Sequence, residues 1–272
     1  MSIVIVGAGP NLGLAIGRRF GSEGMPVGLV SRDQAKLDGL VEQLEEDGIR
    51  ASAEAADIRE PDALSQAIQT LAGRLGEVEV LEYSPLPARE FMKPILETTA
   101  DDIRGPLEFS IVGAVAAVQA VLGPMREAGR GSILFTTGTA FITLNPERAG
   151  VGVSFSGEVA YARMLHRVLA EENIHVAHTA IHGRIAPGEE FEPDEIAALL
   201  WRHHSERGDF QTRLGIDEAA TGSSFGSQPR RLGRYQLRSP SSFIVAGSRT
   251  ARMIVASIRI ETARPMPICF AS

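Results

Sequence analysis

One cysteine, Cys269, occurs in 272 residues. A lone thiol forms no internal disulfide, and metal centres built on Cys-x-x-Cys pairs are excluded by the same count. No stretch of about 18 apolar residues runs free of charges and helix breakers, so no bilayer-spanning helix is expected. The chain starts Met-Ser-Ile-Val-Ile-Val with no basic segment ahead of the apolar run, so no secretory leader is read there. Cations are also in deficit, with 27 Lys and Arg against 34 Asp and Glu and a formal charge of −7. Sequence-independent nucleic-acid binding depends on clustered cations, and is disfavoured. The expectation is a cytoplasmic protein with a small-molecule partner and neither nucleic-acid nor membrane partners.

What is present is unevenly spread. Residues 217–272 carry eight Arg and three acids, a net +5, which leaves −12 for the first 216 residues of a chain whose total is −7. The stretch from Asp217 to Ser242 is rich in Ser, Gly and Pro and reads as linker or loop. The expected organisation is a domain over 1–216 and a basic tail over 217–272. The tail's apolar segments Phe243–Ala246 and Met253–Ala256 either pack against the domain or a second subunit, or belong to a poorly ordered stretch.

Before that boundary, short apolar runs alternate with amphipathic segments. Ile3-Val4-Ile5-Val6 and Val27-Gly28-Leu29-Val30 are continuous apolar runs of the kind that form buried parallel strands. Between them Leu12, Ile16 and Phe20 repeat at helical spacing, and Leu37, Leu40, Val41 and Leu44 do so after the second run. Further strands are expected near Arg50–Ala55, Val78–Tyr83, Ser132–Thr137 and His175–Ile181. Helices are expected over Pro61–Arg74, about Pro106–Glu127, about Gly157–Glu171 and around Pro193–His204. Strands and helices in this alternation give a doubly wound α/β fold, a parallel sheet with helices on both faces.

The strongest chemical signal lies in the first turn, Gly7-Ala8-Gly9-Pro10-Asn11-Leu12-Gly13. Glycines let a chain turn sharply and let a pyrophosphate approach, while the N–H groups and dipole of the following helix favour the anion. At the end of the second strand stand Ser31 and Arg32. An acid there would accept the ribose 2′-hydroxyl of NAD, whereas a guanidinium suits a 2′-phosphate, so NADP(H) is preferred over NAD(H). After the third strand, Asp57-Ile58 meets the adenine, or Asp57 caps the helix that begins at Pro61.

These features resemble the short-chain dehydrogenase/reductase family over about residues 1–214. The resemblance is carried by Gly7–Gly13, Asp57-Ile58, Val112-Gly113-Ala114 on the long helix, Gly131-Ser132-Ile133-Leu134-Phe135-Thr136-Thr137-Gly138 and Ile174-His175-Val176-Ala177-His178. Pro193-Asp194-Glu195-Ile196-Ala197 before Trp201 adds to it. It implies a Rossmann-type fold, assembly as a homodimer or homotetramer, and NAD(P)-dependent interconversion of an alcohol and a carbonyl. The machinery it implies is a Tyr that protonates the carbonyl oxygen, a Lys four residues later, a Ser and an Asn.

This chain departs from that machinery. Its three tyrosines, Tyr83, Tyr161 and Tyr235, are followed four residues on by Pro87, Leu165 and Ser239. Threading places Ser154 at the Tyr position, Glu158 at the Lys position, Gly138 or Thr139 at the Ser position and Ser110 at the Asn position. Glu82-Tyr83-Ser84-Pro85 replaces the family's Asn-Asn-Ala-Gly. A carboxylate where an ammonium is usual repels a developing alkoxide.

Residues expected at the mouth of the sheet are Tyr83, Ser84, Thr137, Thr139, Ser154, Glu158 and His182. Glu158 with a nearby hydroxyl suits a general base, and His182 suits an acid or base near neutral pH. The plainer alternatives are a solvated first-turn Glu158 and a loop His182, and His203-His204 reads as a solvent face. Three functions remain open: an NADP(H)-dependent oxidoreductase on a small carbonyl or alcohol, an enzyme of the same fold with non-redox chemistry (isomerase, dehydratase or cyclase), and a non-catalytic partner subunit.

Overall fold

The computed structural model describes residues 1–216; the tail expected over 217–272 lies outside the described residues. Seven strands form one sheet in the order β3-β2-β1-β4-β5-β6-β7, and every neighbouring pair is parallel. They are β1 (Ser2–Val6), β2 (Val27–Ser31), β3 (Ala51–Ala55), β4 (Val78–Tyr83), β5 (Gly131–Gly138), β6 (Ile174–Ile181) and β7 (Gln211–Leu214). β1 and β6 are buried along their whole length; in β1 this matches the apolar run Ile3–Val6, whereas β6 buries His175, His178 and Thr179 among its apolar residues.

The helices are α1 (Leu12–Gly21), α2 (Gln34–Glu46), α3 (Pro61–Leu75), α4 (Ala100–Leu107), α5 (Gly113–Ala128), α6 (Ala140–Thr143), α7 (Ala149–Leu169) and α8 (Pro193–Glu206). One core cluster packs α3, α5 and α7 on one sheet face, around Leu71, Val118 and Phe135. The other packs α1, α2 and α8 on the opposite face, around Ile5, Leu29 and Leu134. Phe20 of α1 meets Trp201 of α8 edge-on at 5.1 Å. The chain winds outward from β1 to β3 and then crosses back to β4, beside β1. In such sheets, that reversal opens a crevice at the carboxyl ends of the strands.

Two helices begin earlier than their sequence suggests. α4, a π turn over Glu108–Val112 and α5 form one helical run, Ala100–Ala128, with Pro106 inside it. The run starts at a capping box, in which the Thr99 hydroxyl and the Asp102 carboxylate satisfy each other's backbone N–H groups. It is long and apolar enough to cross a membrane, but Ala114, Ala117, Val118, Val121 and Met125 are buried in the core, which accounts for the apolarity. The helix expected near Gly157 starts at Ala149. Gly150 does not break it: a Cβ there would sit 2.7 Å from the Phe91 carbonyl, so the glycine permits close packing. His203 and His204 do not form a solvent face. His203 Nε2 is 3.2 Å from Thr212 Oγ1, and His204 Nδ1 is 2.8 Å from Ser132 Oγ.

Candidate cofactor crevice and active site

The turn after β1 depends on Gly7. Its φ is +94°, and a Cβ would lie 2.5 Å from the Pro85 Cα, so both conformation and space require glycine. Gly9 has nothing within 4 Å of where its Cβ would be, so that direction opens into the crevice. A phosphate can approach the backbone there, next to the N-terminus of α1. Asn11 precedes the helix at φ −94°, which any L-residue adopts.

At the carboxyl ends of β2 and β3, Ser31, Arg32, Asp57 and Ile58 line one pocket together with Pro85, Phe91 and Phe109. Asp57 does not cap α3, whose N-cap is Glu60. Instead, its carboxylate accepts hydrogen bonds from the Arg59 backbone N–H at 3.0 Å and from its guanidinium at 2.9 and 3.2 Å. The Arg59 hydrogen bond, with Arg32 adding a second positive charge, holds the Asp57 carboxyl below its ordinary range. The pocket therefore presents two guanidiniums around one carboxylate.

The other end is a crevice of about 480 Å³. The glycine-rich turn forms one wall, Ser84–Pro87 and Thr136–Gly138 the floor, and residues 183–186 the far side, with Phe155 from α7 between them. Of the residues expected at the mouth, Ser84 and Thr137 line it. Thr139 and His182 pair beside it, His182 Nδ1 lying 2.7 Å from Thr139 Oγ1, with Thr139 buried and His182 exposed.

Tyr83, Ser154 and Glu158 lie elsewhere. Tyr83 turns into the core, fully buried, and its hydroxyl donates to the Phe109 carbonyl at 2.5 Å. Its side chain points away from the mouth because β4 alternates faces, with Glu82 on one side and Tyr83 on the other. Ser154 and Glu158 are each 1% exposed in the middle of α7. Ser110 Oγ lies 3.3 Å from Ser154 Oγ, so the family's Asn and Tyr positions hold two hydroxyls in contact. Glu158 is not a solvated first-turn residue. Burial, with the Glu82 charge adding to it, pushes its carboxyl well above the ordinary value.

Two groups were missed in the sequence. His178 is fully buried, and Thr137 Oγ1 lies 2.8 Å from its Nε2. Gln211 Oε1 accepts from Arg213, which turns the Gln211 amide N–H toward His178 Nδ1 at 3.0 Å. Nε2 therefore carries the ring proton and donates to Thr137, whose hydroxyl in turn donates to the Gly138 carbonyl at 3.0 Å. Burial pushes the His178 pKa down to about 3, so the ring is neutral.

The second missed group is Glu82, fully buried in the central strand β4. Its Oε2 accepts from Ser84 Oγ at 2.8 Å, and its Oε1 has no hydrogen-bond partner among the described residues. Burial pushes its pKa up to about 8. The signal was available: an acid inside a strand otherwise read as buried and apolar is costly and calls for a reason.

Residues 1–184 match the short chain dehydrogenase family. An uncharacterized oxidoreductase of Mycobacterium tuberculosis is 29% identical over 137 residues, covering 50% of this chain and 51% of that protein. A 1-deoxy-11-beta-hydroxypentalenate dehydrogenase of Streptomyces arenae is 28% identical over 169 residues, covering 61% and 56%. The chain thus spans about half the length of these curated relatives. Among solved structures, a short-chain dehydrogenase from Rhodopseudomonas palustris superposes with a TM-score of 0.70 at 26% identity, covering 79% of this chain and 98% of that one.

Proposed function

The chain belongs to the short chain dehydrogenase family, and from that premise we propose that it binds NADP(H) across the crevice and interconverts a small carbonyl compound and its alcohol. The observation that carries this reading is the adenosine pocket. Arg32 follows β2 where the ribose would lie, and it lines one pocket with Ser31, Asp57, Ile58 and Arg59. A guanidinium at that place suits a 2′-phosphate. The open side of Gly9 leaves room for the pyrophosphate at the α1 N-terminus. The residues present therefore fit the adenosine and pyrophosphate half of the cofactor, which supplies a hydride at its nicotinamide when bound.

The nicotinamide half is built differently from the family pattern. Ser84 lines the crevice, while the Thr136 hydroxyl is buried, the Thr137 hydroxyl is held by His178 and the Gly138 carbonyl, and Ser154 and Glu158 stay beneath the surface. The Ser84 hydroxyl orients a carbonyl oxygen, and Phe155 and Pro85 exclude water beside it. A second copy of the chain is the partner favoured by Val153, Met164 and Val168, apolar side chains of α7 that are about half exposed. The test is to follow NADPH absorbance with a panel of small ketones and aldehydes. Consumption that depends on both protein and carbonyl is expected. Turnover of a substrate with no change in nicotinamide absorbance would point instead to non-redox chemistry, a reading that the missing Tyr and Lys favour.

A further inference from the structure

The family machinery supplies a proton to the substrate oxygen, and here Ser110, Ser154 and Glu158, threaded onto its Asn, Tyr and Lys positions, are buried. Beneath the floor of the crevice, the sheet holds a different polar row. Glu82 of β4 lies in register with Leu134 of β5, and Thr136, two residues on, pairs with Thr179 of β6. All three polar side chains share the sheet face that carries α1 and α8. Glu82 and Thr179 are fully buried and Thr136 is 7% exposed. Glu82 Oε1, Thr136 Oγ1 and Thr179 Oγ1 have no hydrogen-bond partner among the described residues. The sheet thus buries a carboxyl group and leaves half of it unsatisfied, at a cost of about 1–3 kcal/mol for such an atom. Ser84, hydrogen-bonded to this row through Glu82, lines the crevice, as does Thr136, whose hydroxyl oxygen stays buried.

We propose that Ser84 and Glu82 form the proton-delivery pair of this crevice, with Ser84 Oγ the group that touches the substrate oxygen and Glu82 the buried acid that resupplies it. The proposal rests on the reading that a carbonyl compound and a reduced nicotinamide meet there. The 2.8 Å contact serves either polarity. When Glu82 is neutral its O–H donates to Ser84 Oγ, and the Ser84 O–H is free to point into the crevice. As the substrate carbonyl carbon accepts a hydride, the C=O π pair moves to oxygen and takes the proton of Ser84. Ser84 takes the proton of Glu82 Oε2, and Glu82 is left as a carboxylate that regains a proton from water. Alcohol oxidation runs the same path backwards.

Burial raises the Glu82 carboxyl to about 8, so it holds its proton at neutral pH. The titratable group that feels its charge is Glu158 of α7, whose own carboxyl is raised by burial; the other polar neighbours are the Ser84 and Thr136 hydroxyls. Ser84 is the catalytic residue of this account, and Glu82, which acts through it, is a positioning residue and proton store.

The test needs no substrate. Infrared spectra of the ligand-free protein at neutral pH are expected to show a protonated carboxyl C=O band that vanishes in Glu82→Gln and a second that vanishes in Glu158→Gln. On transfer to deuterated water the Glu82 band shifts at once, because Ser84 connects it to the crevice, and the Glu158 band shifts slowly. In Ser84→Ala the Glu82 band exchanges slowly as well, which keeps the test available if Glu82→Gln does not fold. No protonated band assignable to Glu82, or an exchange as slow as that of Glu158 in the wild type, overturns the proposal. An NADPH titration of the wild type reports on the cofactor separately: if NADPH does not bind while the bands behave as described, the functional reading fails and the proton path stands. Where a reducible carbonyl is found, Ser84→Ala is expected to lower kcat about 100-fold or more. Glu82→Gln is expected to remove the fall in rate above pH about 8.

Discussion

Ser84 Oγ and Glu82 Oε2, two residues apart on a strand end, lie 2.8 Å from each other, one at the floor of the crevice and the other fully enclosed by the sheet. A buried neutral acid in that position makes stability depend on pH in a direction that can be worked out. Its folded pKa of about 8 lies above the ordinary 4.5. Between these values the unfolded chain has released a proton that the folded chain retains, so stability is fully present below 4.5 and is lost as pH rises toward 8.

Glu82→Gln is therefore expected to be more stable than the wild type at pH 8, with the difference growing by about 1.4 kcal/mol per pH unit across that window. Glu158→Gln is expected to act in the same direction, since its carboxyl is also raised. Urea unfolding between pH 5 and pH 9 measures this, and parallel curves for wild type and variants would contradict the burial argument.

The buried histidines act with the opposite sign at lower pH. The His178 and His175 pKa values are pushed down to about 3 and about 4 by burial. Below the ordinary 6.5 the unfolded chain gains protons that these rings refuse, so stability falls as pH drops from 6.5 toward 3. His178→Phe is expected to flatten part of that acid limb. It would also leave Thr137 Oγ1 and Gln211 without their ring partner, at a cost of about 1–3 kcal/mol at neutral pH. Thermal melts from pH 4 to pH 7 distinguish the two effects.

Gly113 is held by close approach and not by its backbone angle. A Cβ there would lie 2.5 Å from the Ile58 carbonyl and 2.6 Å from the Tyr83 hydroxyl. Gly113→Ala is expected to cost about 1–3 kcal/mol despite the helical gain of alanine. Tyr83→Phe relieves one of the two contacts, so the double variant is expected to recover part of the loss. Simple additivity in a double-mutant cycle would contradict the contact.

The order of strands and helices was legible because burial on both faces turns parallel strands into apolar runs, and because Gly7–Gly13 marks the crossover to α1. The starts of α4 and α7 were not legible. Pro106, read as a helix start, lies inside the run, and Gly150, ahead of the expected start near Gly157, is a close-packing position in α7 where a Cβ would lie 2.8 Å from the Pro106 side chain. Arg32 and the pair Asp57-Ile58, far apart in the chain, line one pocket at the ends of β2 and β3. The opposite end was misread where alternation along β4 decides the outcome: Tyr83 faces the core, and Glu82, dismissed as part of a replaced motif, is the anomalous group. Ser154 and Glu158 were found by threading, but no sequence pattern shows that α7 keeps them sealed.

The most direct test of the account is a calorimetric titration of the protein with NADPH and with NADH, repeated on Arg32→Ala. The wild type is expected to bind NADPH more tightly, and the variant to lose about 10- to 100-fold of NADPH affinity while its NADH affinity changes little, the magnitude of a charge-assisted hydrogen bond. Equal affinity of the wild type for both nucleotides, or binding of neither, would contradict it.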